Sequence, residues 1–216
     1  SKPTTTSAPR RASRGTEKVS ENSSVAGEKE KSLALVLVSK GPLKHPALLQ
    51  YLSKRGIDHD VARRYLSQIT FKAPQSAGNY FSLGYPAGDG FEARNALFKG
   101  FVGTGKNVTF HDKENAKLLQ VFEGFMDFLS YLSANRPTEP AGAVLVLNST
   151  NLWRQALPIM NDLRFDEIRL YLDNDAAGDA VTKQFFENTD ETRLADMRSY
   201  YANHEDVNAW HLDQKL

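Results

Sequence analysis

The stretch Val121-Phe122-Glu123-Gly124-Phe125-Met126-Asp127, read with Leu172-Asp173-Asn174-Asp175-Ala176-Ala177-Gly178, decides the fold. Each opens on an apolar run that stops at an acid. Leu118, Leu119, Val121 and Phe122 lead into Glu123, and Ile168, Leu170, Tyr171 and Leu172 lead into Asp173. Short apolar runs that end in a charged or Gly-containing turn and precede helical spacing mark buried parallel strands feeding helices. Ligands of such sheets bind at the carboxyl ends of the strands. Carboxylates delivered to two neighbouring strand ends repel one another unless a cation lies between them. The pattern calls for a hard divalent ion, and oxygen donors suit Mg²⁺ or Mn²⁺.

Outward from these runs the alternation continues. A helix over Phe125–Ala134 carries Phe125, Phe128, Leu129 and Leu132 on one face. Ala143–Leu147 is an apolar strand, and Asn148-Ser149-Thr150-Asn151 is a polar strand end that caps a helix carrying Leu152, Ala156, Leu157, Ile159 and Met160. A strand at Ile168–Leu172 precedes a helix over Ala176–Asn188, with Asp179 and Lys183 spaced as an i,i+4 pair. A strand near Ala195–Tyr200 leads to Glu205-Asp206-Val207-Asn208. Regular strand–helix alternation predicts right-handed crossovers and an open, mostly parallel sheet, an α/β fold. Asp173 and Asp175, two apart on an extended strand end, face one side and so can share a cation.

Upstream the pattern differs. Ile69–Phe71, Tyr80–Leu83, Phe91–Arg94 and Val108–Phe110 are short aromatic and β-branched runs separated by Gly, Pro and Asn, with a hairpin turn at Gly88-Asp89-Gly90. They predict a small antiparallel subdomain. Leu33–Val38 is a further apolar run, and Pro46–Gly56 followed by Asp58 or Asp60 reads as a helical hairpin. Gly100-Phe101-Val102-Gly103-Thr104-Gly105-Lys106-Asn107 nearly matches a phosphate-binding P-loop. Such a loop needs Ser or Thr after the Lys and a following helix whose amides meet the phosphates. Asn107 and the β-like Val108-Thr109-Phe110 supply neither, so a glycine-rich hairpin tip is the better reading.

Composition bounds the rest. The 216 residues suit one domain of ordinary size with a small satellite. Lys+Arg at 27 against Asp+Glu at 26 gives no global charge that announces a nucleic-acid partner, so any phosphate-binding surface is local. The chain has no cysteine, which excludes disulfides and thiolate zinc sites and fits a reducing cytoplasm. No apolar run approaches a membrane span and no signal peptide is visible, so no membrane partner is expected. The first residue is not Met, which suggests a processed or excised piece of a longer chain. Residues 1–32 are poor in large apolar groups and are expected to be a disordered linker, with Arg10-Arg11-Ala12-Ser13-Arg14 as its basic cluster.

Glu123-Gly124-x-x-Asp127 followed some fifty positions on by Asp173-x-Asp175-x-x-Gly178 resembles the Toprim signature of primases, topoisomerases and some nucleases. Glu123-Gly124-Phe125-Met126-Asp127 is most similar to the form found in bacterial-type primases, and the likeness extends over most of the chain after about residue 33. The resemblance implies a Toprim-type, Rossmann-like sheet at 113–216 preceded by a mixed α+β subdomain at 33–112. Tyr51-Leu52-x-x-Arg55-Gly56-Ile57 is similar to the family's segment between its zinc-binding module and its catalytic core, though on the residues alone it is a packing hairpin without chemistry.

The family's activity is synthesis of short RNA primers on single-stranded DNA from ribonucleoside triphosphates, by nucleotidyl transfer with two metal ions. The resemblance makes Glu123, Asp173 and Asp175 the catalytic acids and, with Asp206, the ligands of Mg²⁺ or Mn²⁺. Gly124, Asp127, Gly178 and Asn208 become supporting residues, and Arg94, Asn95, Lys99 and Lys106 candidates for the nucleotide. Glu205 and Asn208 depart from the family's last acidic motif, where a basic residue and often an Asp stand; the departures should weaken metal or nucleotide contact. A full primase also carries a Cys/His zinc module and a helicase-binding region, so contact with a replicative helicase would run through regions outside this chain. Three other readings stand beside this one: a Toprim-type metal-dependent nuclease; a topoisomerase fragment, which would need a reactive Tyr on another domain that nothing here suggests; and a non-catalytic single-stranded-DNA-binding module of a replication or mobilisation protein of a plasmid or other mobile element.

Overall fold

The computed structural model describes residues 34–74, 76–135 and 139–215; the linker expected at 1–32 lies outside them. Two five-stranded sheets organise the chain. The first is antiparallel and runs in chain order through β1 (Val36–Gly41), β2 (Ser67–Lys72), β3 (Asn79–Pro86), β4 (Gly90–Arg94) and β5 (Lys99–Gly103). It curls on itself: Leu35, just before β1, bridges Val102, and the Gly103 amide donates to the Leu35 carbonyl at 3.0 Å. Ile69, Phe71, Ala93 and Val102 fill the inside of the curl with Leu35, Phe91 and Phe98. Gly84 makes that closeness possible, since a Cβ there would stand 2.6 Å from Ile69 Cγ2.

Between β1 and β2 lies the helical hairpin of α1 (Pro46–Lys54) and α2 (His59–Tyr65). Pro46 takes the first helical position after the His45 cap, and the Asp58 carboxylate caps α2 by accepting from the Asp60 and Val61 amides at 2.8 and 3.0 Å. Leu48, Leu52, Val61 and Ala62 are buried in one apolar cluster with Phe122, Phe128, Val144 and Val207. The hairpin therefore packs against the second sheet's helices.

The second sheet has the order β10-β9-β7-β8-β6, built from β6 (Thr109–His111), β7 (Leu118–Phe122), β8 (Ala143–Val146), β9 (Glu167–Tyr171) and β10 (Leu194–Asp196). All pairs are parallel except β6 with β8. The run Val108–Phe110, expected in the antiparallel subdomain, thus belongs to this sheet instead, with Phe110 opposite Leu145. Its alternation announces a strand but carries no information about the partner, which the parallel core supplies. Helix α3 (Phe125–Asn135) follows β7, α4 (Trp153–Met160) follows β8, and α5 (Ala176–Asn188) follows β9. The terminal α6 is Val207–Asp213.

Right-handed crossovers dictate which face each helix covers. From β7 the chain steps one way to β8, then returns across β7 to β9 and β10 on the other side. Helix α3 is accordingly buried with the hairpin and α6, while α4 and α5 bury Ala156, Met160, Val181 and Phe185 on the opposite face. The Asp179–Lys183 pair read from the spacing does not form: Asp179 meets Arg198 and Lys183 lies 3.8 Å from Glu187. Arg198 competes for Asp179 from a half-buried position where its charge is desolvated and needs a partner. Among the described residues no helix is long and apolar enough to cross a membrane.

Phe128 joins the layers, since its ring contacts Tyr65 of α2, His111 of β6 and Phe122 of β7 and is fully buried. Phe128→Ala is expected to cost about 3–5 kcal/mol of unfolding free energy, measured by chemical denaturation. A loss below about 1 kcal/mol, the scale of an ordinary surface change, would show that this contact does not join them.

Candidate active site

The reversal of strand order lies between β7 and β9, whose following helices leave to opposite faces and open a crevice at the carboxyl ends. Register aligns the two ends: Phe122 stands opposite Tyr171, so Glu123 and Asp173 emerge side by side. The Glu123 amide donates to the Tyr171 carbonyl at 3.2 Å, and Glu123 Oε2 accepts from the Asp173 amide, also at 3.2 Å. Residues fifty positions apart are tied through the main chain. Gly178 is obligatory beside them, because a Cβ there would come 2.1 Å from the Asp173 carbonyl oxygen. Gly124 keeps the other side open, with Asp127 Oδ2 only 3.0 Å from where its Cβ would be.

The electrostatics of the crevice are lopsided. Burial, reinforced by Asp127, Glu123, Asp206 and Asp175, pushes the Asp173 carboxyl up to about 8. Burial and the Asp206 charge push Asp127 to about 7, and burial raises Glu123 against the relief of the Asp173 amide. Lys99 and Arg94 are the cations whose fields reach Glu123 and Asp127 respectively, and neither makes an ion pair among the described residues.

These groups face a cleft of about 1030 Å³ between the acidic strand ends and the β4–β5 hairpin. Of the residues singled out in the sequence, Glu123, Gly124, Asp127, Asp173, Asp206, Arg94, Asn95, Lys99 and Lys106 all line it. Asp175 does not. Its carboxylate caps α5, accepting from the Gly178 amide at 2.7 Å, and reaches the cluster only through its charge on Glu123 and Asp173. Asp206 likewise caps α6 through the Ala209 amide at 2.6 Å, yet remains on the cleft wall.

Asn208 is fully buried, and its place explains why it is not an Asp. Its side-chain nitrogen donates to the Arg55 carbonyl at 2.8 Å and to Ser130 Oγ at 2.7 Å, while its amide donates to Asp127 Oδ1 at 3.3 Å. A carboxylate could donate neither side-chain bond. The departure noted in the sequence is a structural pin between α1, α3 and α6. Glu205, the other departure, lines the cleft and adds a further acid to it.

Several lining residues were not singled out as site residues. Tyr51 and Arg55 reach the cleft from the helical hairpin, and Asn148, Ser149 and Thr150 from the end of β8. The Tyr51-Leu52-x-x-Arg55-Gly56 motif was the available signal for the first pair, and the polar strand end for the second. Asn148 adopts a left-handed φ of 63°, a conformation Asn tolerates well. The hairpin's leucines pack into the core, as the packing reading expects, and Arg55 also reaches the cleft wall.

The donor set fits a hard divalent cation: every candidate ligand is a carboxylate, and burial has raised the protons that a cation would displace. Among the described residues, as arranged, no three acidic, His or Cys side chains form a ready-made metal site.

Comparison with known proteins bears on the same regions. Residues 120–211 match the Toprim-like family model, and residues 37–103 match a domain of unknown function, DUF8464. No curated protein sequence matches the chain. The primase fragment of the bacteriophage T7 primase-helicase protein is similar with a TM-score of 0.56 at 17% identity, covering 76% of this chain and 68% of that one. A structure of bacteriophage T7 lagging-strand DNA polymerase interacting with primase domains of two gp4 subunits bound to an RNA/DNA hybrid and dTTP gives a match with a TM-score of 0.53 at 17% identity, over 76% of this chain and 85% of that one. The Aquifex aeolicus primase, in its zinc-binding and RNA polymerase domains, matches at 0.46 and 15% identity over 71% and 49%. Residues 120–211 thus form a Toprim-like domain, and the chain has the mixed α/β fold of primase fragments.

Proposed function

We propose that this chain is the catalytic core of a primase, joining ribonucleotides on a single-stranded DNA template with the help of Mg²⁺ or Mn²⁺. The observation that carries the reading is the meeting of Glu123 and Asp173 at the strand-order reversal, on one cleft with Arg94 and Lys99, which make no ion pair among the described residues. We take residues 33–112 and 113–216 as its two working parts, with β6 lent by the first to the second's sheet, the first supplying cations and the second acids. A replicative helicase would be contacted outside the described residues.

Glu123, Asp173 and Asp206 would hold the metal, with Asp175 adding charge from behind the α5 cap. When bound, such ions polarise the α-phosphate and acidify the attacking 3′-hydroxyl. The chain's own residues do the positioning. Arg94 and Lys99 draw the triphosphate to the hairpin side of the cleft and balance the charge spread over its oxygens. Gly124 and Gly178 let backbone come up to the acids without a side chain in the way. Asn208 fixes Asp127 beneath them, through its amide, so that this buried acid steadies the loop.

Incorporation of labelled ribonucleotide on single-stranded template tests the reading. Glu123→Gln and Asp173→Asn should each lower it about 10²- to 10³-fold, as loss of several kcal/mol of metal-borne charge stabilisation implies. Variants as active as the parent would refute the assignment. Manganese-dependent nicking without incorporation would identify a nuclease, and single-strand binding with neither activity a non-catalytic module.

Proton linkage gives a second test. For a carboxyl whose folded pKa lies above its unfolded value, the unfolded chain ionises first as pH rises. Metal-free stability therefore falls from about pH 4 toward the folded values of about 7 and 8 for Asp127 and Asp173, then levels. Asp173→Asn should flatten that slope and raise the pH 8 melting temperature by a few degrees, about 1 kcal/mol in a domain of this size. Mg²⁺ should stabilise the parent more at pH 8 than at pH 6, because ligation must displace protons. Equal stabilisation at the two values in thermal denaturation would contradict it.

A further inference from the structure

Of the three cations on the hairpin side, Lys106 is not available as the others are. Its Nζ lies 2.6 Å from Glu92 Oε1, with the Glu92 side chain only 10% exposed and that of Lys106 32%. Arg94 and Lys99, on the same wall, have no such partner among the described residues. Among the described residues Lys106 is the ion-pair partner of that buried Glu92 oxygen, which accepts no hydrogen bond of good geometry.

The pair is held by backbone that cannot easily give. Glu92 sits on β4, hydrogen-bonded on both sides, opposite Tyr85 of β3 and Phe101 of β5. Lys106 follows Gly105, whose carbonyl accepts from the Asp89 amide at 2.8 Å. Gly88 packs so tightly on that carbonyl that a Cβ would come within 2.1 Å of it, and its φ of +64° suits glycine. A carboxylate buried in the wall of a cleft for anions repels them unless it is neutralised, and Lys106 neutralises it. The same contact withholds Lys106 from weak anions. An ammonium has three donors, so a strongly charged ligand can draw it outward while it still holds Glu92.

We propose that Glu92 sets the charge threshold of the cleft: by occupying Lys106 it screens out monophosphates, while a triphosphate, reaching Arg94, Lys99 and Lys106 together, has charge enough to engage it. This rests on the reading that the cleft takes a nucleoside triphosphate. Discrimination then comes from a repulsive group built beside the attractive ones.

Metal-free calorimetric titration with inorganic phosphate and with tripolyphosphate tests it, on the parent, Glu92→Gln, Lys106→Met and the double variant, each checked for native circular dichroism. Glu92→Gln should tighten phosphate about fivefold, the scale of one partly exposed charge pair, and tripolyphosphate much less, compressing the ratio between them. Lys106→Met should compress the same ratio from the other side by weakening tripolyphosphate, and it reports on the threshold even if Glu92→Gln does not fold. In the double variant the gain for phosphate should vanish. Unchanged ratios, or no anion binding by any of the four proteins, would overturn the proposal. A ratio that responds as expected in a chain that incorporates no ribonucleotide would uphold the threshold and reject the primase reading.

Discussion

Mutual repulsion among acids gathered at one crevice is the constraint on which the rest of this structure depends. Glu123 and Asp173 reach it because β7 and β9 are parallel neighbours in register, and Asp127 and Asp206 join them from the starts of α3 and α6. Burial then makes each charge expensive and each neighbour makes the next more so. A fold that only needed stability would disperse these groups. The molecule instead anchors them with main-chain donors: the Asp173 amide on Glu123, the Gly178 amide on Asp175, the Ala209 amide on Asp206 and the Asn208 amide on Asp127. Helix N-termini at Asp175 and Asp206 lend further positive potential.

The two sheets divide the work. The parallel sheet delivers acids, and the curled antiparallel sheet presents Arg94 and Lys99 across the cleft. Helix α1 connects them, since its end carries Arg55 to the cleft wall while its leucines join the core around Phe122 and Phe128. The Asn208 bonds to the Arg55 carbonyl and to Ser130 hold that helix end against α3 and α6. Through this pin the geometry of the acids and the position of the hairpin are mechanically linked.

What could be read in the sequence was local. Apolar runs ending in acids located β7 and β9 to within a residue, and the strand–helix alternation placed α5 at Ala176–Asn188. Pairing was harder, because strand partners are chosen by the whole sheet: Thr109–His111 looked like its upstream neighbours and joined β8 instead. Period-two spacing put Asp173 and Asp175 on one side, yet the turn chemistry of Asp bent the second into a helix cap. Arg55 sat in a motif that also satisfied a packing reading, and its direction depends on how α1 lies against α6. The Glu92–Lys106 contact was beyond sequence reasoning, as it joins a strand to a loop fourteen positions on only through a turn held by Asp89 and Gly105.

The most direct measurement is a calorimetric titration of Mn²⁺ into the metal-free protein near pH 7.5, repeated in two buffers that differ in ionisation enthalpy. Carboxylates whose protons are held up by burial must release them on ligation, so saturable binding with net proton release is predicted, lost when Glu123 and Asp173 are both replaced by their amides. Binding that releases no protons, or that survives the double replacement, would contradict the account.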